Sequence, residues 1–354
     1  MTQYLSDKLR VLSLISIIFV LYIHSRFQPN EIMGMVYYDK IQLFTSEMIG
    51  RCAVPLFYLI SGYLFFMKVP DGVKSIGRKI RKRIKSLLIP YFIGCVFFVI
   101  FYSFVALLPW TSNLINSSSS IMPLFQKPYS IILISIFYDG GTGYPCAFQL
   151  WFLRDLILIV ATSPLWYLCL KHLKWGFVAV VFVLTYFDVP HVPFYSMFWF
   201  VLGGQLTKAK IEMGGVSGRI KVAIFGLFLF LIISIIQLFF PDIINWSLLR
   251  IPIILLGIIG AWGLYDVVFG KDFSLSRHQW FATASQFTFF IYLFHEPTLN
   301  IVRKLIVVVL GKNELGYLTS YLLSPWIFTV CAVFAGLLFR KYLPRVYDVC
   351  TGGR

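Results

Sequence analysis

Six residues that can exchange protons or carry charge interrupt otherwise apolar runs. They are His24 in "FVLYIHSRF", Arg51 in "IGRCAVPLFY", Arg154 and Asp155 in "LWFLRDL", and His295 and Glu296 in "FFIYLFHEP". Imidazole is the side chain whose ordinary titration falls near neutral pH, so a buried histidine is a candidate base. Guanidinium groups stabilise negative charge that develops during a reaction, and carboxylates orient an imidazole ring. Two chemistries fit such a set: general-base catalysis beside fixed positive charge, or the binding and carriage of a charged substrate.

The elements that must position these residues are membrane spans. Of 354 residues, 59% are hydrophobic and only 13% charged, too few charges to clothe a soluble domain of this length. The reading is an all-α, polytopic helical bundle of about ten transmembrane helices. The spans are drawn at about 9–27, 46–67, 86–108, 148–170, 174–188, 191–207, 221–240, 247–269, 281–300 and 317–340. The fifth and sixth are short and flank "DVPHVP". Run 129–138 is too short to span and is expected in the interface or folded back. No internal repeat or second domain is visible, so residues 1–354 form one transmembrane domain.

The net charge of +16 sits in short loops between the spans, which argues for topology and against nucleic acid as a partner. Lys8 and Arg10, loop 68–85, Lys171 and Lys174, loop 208–221, and Lys271 with Arg277 alternate with loops poorer in Lys and Arg. That pattern places both termini in the cytoplasm. The N-terminal run resembles a signal peptide, but no small-residue cleavage site follows His24, and it is read as a retained first span. The six cysteines show no CxxC and no metal-ligand spacing and are read as packing residues; no metal is expected. "DGGTG" in the long loop 109–147 lacks a following Lys-Ser/Thr and is a turn, not a phosphate loop.

Depth counting brings the polar residues to one layer. His24 follows Arg10 by fourteen residues, about 21 Å along a helix and close to four turns, so both share a side. His295 lies fourteen positions after Phe281, where the ninth span enters, and reaches a similar depth. Arg51, Arg154 and Asp155 lie within about two turns of the opposite, outer surface. Trp151 shares a face with Arg154 and Asp155, at i+3 and i+4. A shared polar cavity in the outer half of the membrane is the expectation. Arg154 and Asp155 alternatively pair with each other, Arg26 snorkels outward, and His191 is interfacial.

At the other end, "KSIGRKIRKRIKSLLIP" places seven Lys or Arg in twelve positions on a helix leading into the third span. Two readings stand: an anchor for anionic lipids, or a seat for a phosphorylated cytosolic ligand. In the second, Arg78 and Arg81, one turn apart, clamp phosphates with Lys82 and Arg83 beside them.

Several segments, in order, resemble the acyltransferase 3 family of bacterial integral-membrane enzymes. They are "LRVLSLISIIFVLYIHS", "AVPLFYLISGYL", "RKIRKRIKSLLIPY", "QLWFLRDL", "FYSMFWFVLGG" and "SQFTFFIYLFHEP". The resemblance implies an O-acyltransferase of the bacterial cell (inner) membrane. The donor would be cytoplasmic acyl-CoA, by default acetyl-CoA, and the acceptor a hydroxyl of an envelope polysaccharide or lipid-linked glycan. It makes His24 the catalytic residue. The chemistry of acyl transfer then suits His24 as base, with Arg51 or Arg154 near the developing charge or the acceptor and Asp155 or Glu296 orienting the ring. His295 is then a further polar contact or proton carrier, and Arg78 and Arg81 bind the donor. The chain departs from the family in one place. Ten residues usually separate the first-span arginine from the histidine, and here Ser13 stands at that spot with Arg10 one turn lower. Gln149 occupies a position where a histidine or another polar residue is common. The competing reading from another class is a transporter or flippase of a glycan precursor; a third is a structural subunit of an envelope-synthesis complex.

Overall fold

A computed structural model describes residues 2–28, 31–32, 34–67, 73–106, 134–138, 143–187, 189, 192–211, 220–270 and 273–353. His191, most of "DGGTG", the bulk of loop 109–147, turn 212–219 and Lys271 lie outside the described residues, as does the first half of run 129–138. All regular structure among the described residues is helical.

Helix α1 spans Gln3–His24, α2 Val36–Gln42, α3 Ala53–Phe66 and α4 Val73–Ala106. They are followed by α5 Trp151–Ala161, α6 Ser163–His172, α7 Trp175–Leu184 and α8 Phe194–Lys208. The last six are α9 Ile220–Phe239, α10 Trp246–Phe269, α11 Gln279–Gln286, α12 Thr288–Leu310, α13 Glu314–Tyr342 and α14 Pro344–Thr351. Each of the ten expected spans overlaps helix among the described residues. Among the described residues, five helical stretches are long and apolar enough to cross a bilayer unaided: 37–66, 75–104, 220–239, 246–269 and 314–342. A sixth is the pair α5–α6, bent by 63°. The other four expected spans are α1, α7, α8 and α12. Helices α7 and α8 have only 10 and 15 residues. Helix α1 carries Asp7, Lys8 and Arg10, and α12 carries Glu296, Arg303 and Lys304.

Helix α1 is the axis of the bundle. Thirteen of its 22 residues are buried, on every side, against α3, α11, α12 and α13. Its first turns are held by charge. Lys8 is fully buried, donates to Asp266 of α10 at 2.6 Å, and lies 4.5 Å from the centre of the Trp262 ring. Tyr4 donates to the same carboxylate, and the Asp7 carboxylate accepts from the Leu275 backbone N–H at 3.1 Å. Lys8 is thus an internal strut, not the loop charge that hydropathy reading makes of it.

Helices α3 and α8 pack most intimately, through glycines. A Cβ on Gly62 would sit 1.9 Å from the Phe200 carbonyl oxygen, and one on Gly203 2.1 Å from that of Leu59. Neither backbone atom can swing aside, so only glycine permits this approach. Gly62→Ala is expected to lower the melting temperature of detergent-purified protein by several degrees. Gly176→Ala, where a Cβ meets nothing within 4 Å, should leave it unchanged.

Two irregularities aim side chains. Between α2 and α3 the helix widens to a π-helix over Leu43–Ile49 and tightens to a 3-10 turn over Gly50–Cys52, which turns Arg51 relative to a straight helix. Helix α12 kinks at Glu296, whose extended backbone precedes Pro297, a residue that disfavours helix in its predecessor. Helix α4, at 34 residues, is about 51 Å long and exceeds a ~30 Å hydrocarbon core, so its basic first turns project beyond it.

Candidate active site

One cavity of about 570 Å³ follows α1 for most of its length. Its lining includes Ser6 and Arg10 near one end of α1 and His24 at the other, eighteen residues or about 27 Å apart. The first end also has Arg83 from α4 and Ser285 and Gln286 from α11; the second has Arg51, Gln149 and Tyr292. Between them the walls are apolar and aromatic, including Leu9, Val20, Phe57, Trp151 and Phe289. A largely apolar passage thus joins a cationic mouth to a polar far end.

His24 closes α1 and is half-buried. Its ring meets that of His295 edge-on, with centroids 4.8 Å apart, and that of Phe148 at 5.7 Å. His295 is fully buried. Its Nδ1 lies 2.6 Å from the Tyr292 carbonyl oxygen, which can only accept, so Nδ1 carries the proton. Nε2 is then a bare lone pair, and it has no partner among the described residues. Beside the pair, Gln149 donates to the Glu296 carbonyl oxygen at 3.4 Å, while its own side-chain oxygen is buried without a partner among the described residues. The matched depth expected of the two histidines is realised as ring contact.

Arg51 lines the cavity with its guanidinium held by Glu47, one turn earlier, at 2.8 Å from Nε. Glu47 also bonds Arg26, so Arg26 is paired inside the protein and does not snorkel. Arg154 and Asp155 do not line this cavity. Arg154 donates to Asp155 at 2.9 Å and to the Gly143 carbonyl at 2.8 Å, and the other Asp155 oxygen accepts from Ser196 at 2.9 Å. The pair binds α5 to α8 and to the segment before α5. Glu296 is buried in the kink of α12 and contributes its backbone oxygen to Gln149.

At the cationic mouth, Arg10 donates to the Ala282 carbonyl at 2.8 Å, and Ser13, one turn on, also lines the cavity. Arg83 faces the cavity, whereas Arg78, Arg81 and Lys82 are exposed on the outer face of α4. Lys79 caps α3, donating to the carbonyls of Phe65 and Met67 at 2.8 and 2.6 Å.

Three residues of this region escape a reading by depth. Glu47 lies four positions before Arg51, a spacing that marks a helical ion pair. Arg303, seven positions after Glu296 and so two turns along the same face, is buried. It donates to Asn300 at 2.8 Å and to the Arg26 carbonyl, and stacks 4.3 Å over Phe27. Arg250 stands alone near the start of α10, and no spacing announces it.

Residues 7–339 match the acyltransferase 3 family, described as an acyltransferase domain. The chain is also similar to the succinoglycan biosynthesis protein ExoH of Rhizobium meliloti (strain 1021). The two are 24% identical over 376 residues, which cover all of this chain and 94% of that protein. No solved structure matches the chain.

Proposed function

The chain belongs to the acyltransferase 3 family, and from that premise we propose that it is a membrane O-acyltransferase. It moves an acyl group, acetyl by default, from cytoplasmic acyl-CoA to a hydroxyl of an envelope polysaccharide or lipid-linked glycan. The carrying observation is the single cavity that runs from Arg10 and Arg83 to His24 and Arg51 along α1. Similarity to a succinoglycan biosynthesis protein supports a glycan as acceptor. The ten helical segments cross the cytoplasmic membrane of a bacterial cell with both termini inside, and the basic turns of α4 face the cytosol.

In this reading the coenzyme's phosphates rest at the mouth. Arg10 and Arg83 hold them from within the cavity, and Arg78, Arg81 and Lys82 raise the local anion concentration from outside it. The acyl-pantetheine arm lies along the apolar passage and delivers the thioester to His24. His24 takes the proton of the acceptor hydroxyl as its oxygen adds to the thioester carbon. Arg51 faces the oxyanion that forms. Collapse breaks the C–S bond, forms the ester, and the departing thiolate receives the proton from His24. His295 is a positioning residue: its ring meets that of His24 edge-on and fixes how the base is turned toward the cavity. Arg154 and Asp155 act indirectly, through the fold of α5.

The test is transfer of label from radiolabelled acetyl-CoA to glycan by purified protein. Labelled glycan is the expected product; a glycan that crosses the membrane unlabelled would indicate a carrier instead. At the mouth, Arg10→Ala/Arg83→Ala is expected to raise the half-saturating acetyl-CoA concentration by about tenfold or more, with the acceptor dependence unchanged. Equal donor dependence in variant and parent would remove these arginines from the donor site.

A further inference from the structure

A second cavity, of about 380 Å³, opens beside the first at the His24 end of the bundle. Residues from the end of α7, the start of α8, α5 and α10 line it. It shares two walls with the first cavity, Trp151 and Tyr195. Its polar groups include Asp155, Thr185, Ser196 and Arg250, and its apolar surface is largely aromatic, with Tyr186 beside the shared rings.

Arg250 is the residue the fold leaves unexplained. Its guanidinium lies 4.7 Å over the Tyr195 ring, yet it makes no hydrogen bond or ion pair among the described residues. Its Nε is buried without a partner. Asp155, the carboxylate that lines this cavity among the described residues, is already occupied by Arg154 on one oxygen and Ser196 on the other. Leaving a buried guanidinium donor unpaired is costly, so a ligand oxygen is the natural partner.

The chemistry of the lining suits a sugar. A pyranose ring has an apolar C–H face that lies against aromatic rings and a rim of hydroxyls that need donors and acceptors. Trp151 and Tyr195 offer the first, and Arg250 and Ser196 the second. We propose that this cavity seats the acceptor sugar, with Arg250 as the group that binds and orients it. The proposal rests on the acyltransferase reading only for the word acceptor. The shared wall places a hydroxyl of the seated sugar toward the cavity that His24 closes.

The experiment separates binding from transfer. The probe is envelope polysaccharide from the producing cells, freed of O-esters by mild alkali and cut to short oligosaccharides. Its affinity for full-length protein in nanodiscs is measured by thermophoresis without donor. The parent is expected to bind, and Arg250→Ala to bind about tenfold or more weakly. In the labelling assay the variant should need correspondingly more acceptor, with acetyl-CoA dependence and melting temperature as in the parent. Should Arg250→Ala fail to insert, Arg250→Gln is read in its place. Equal affinity in variant and parent, or no binding by the parent, overturns the proposal. Binding that depends on Arg250 without any transfer of label upholds the sugar site and overturns the acyltransferase reading.

Discussion

His24→Ala protein is expected to bind coenzyme A as the parent does and to transfer acyl groups to glycan about 10²- to 10⁴-fold more slowly. The size follows from the role. A general base contributes that much when it meets the proton in the transition state and nothing to holding the donor. His24 is the last residue of α1, and its ring is flanked by His295 and Phe148 at the polar end of the cavity. The proposed coenzyme contact Arg10 is fourteen residues away, about 21 Å along α1, so donor affinity should be untouched. His24→Gln keeps a hydrogen-bonding side chain but not a base and should be as slow as His24→Ala. Full transfer by either variant, measured as label entering glycan, would remove His24 from the mechanism.

The second large effect is on stability. Lys8→Met is expected to destabilise the protein by about 3–5 kcal/mol, because it leaves the Asp266 carboxylate charged and buried without its partner. Both side chains are almost wholly excluded from solvent, at 0% and 5% exposure, so water cannot replace the lost contact. Lys8→Met/Asp266→Asn removes both charges and keeps an acceptor for Tyr4. It should recover most of the loss, since a matched neutral pair avoids the desolvation that an ion pair incurs. Chemical denaturation in mixed micelles reads the difference. A Lys8→Met protein as stable as the parent would mean that the strut carries no load. Because α1 bears both Arg10 and His24, the single variant should lose transfer activity along with stability.

Much of the site was legible from residue type and spacing. His24 and His295 stand out because ionisable groups are rare within apolar runs, and a fixed rise per residue converts position into depth. Depth does not give azimuth, however. Arg154 and Asp155 turn toward each other, Ser196 and the Gly143 carbonyl, not into the cavity along α1. Arg51 does face that cavity; it lies in the 3-10 turn Gly50–Cys52, and that turn and the π-helical stretch Leu43–Ile49 before it set its direction. The departure at the first-span arginine also reads differently in three dimensions. Arg10 and Ser13, three residues apart and so on one face, line the same cavity.

Composition and periodicity alone established an all-helical membrane protein, the helical segments and the residues too polar to be idle. These are one-dimensional properties: burial in lipid demands local hydrogen bonding, and that demand is met within each segment. Which polar residues meet was decided by packing between segments far apart in the chain. The glycine contact of α3 with α8, the Lys8–Asp266 strut and the kink at Glu296 rotate each helix about its axis. That rotation sets His24 against His295, sends Arg83 inward and Arg78 outward, and leaves Arg250 alone over Tyr195. No spacing within one helix encodes it, because it is fixed by contacts between helices.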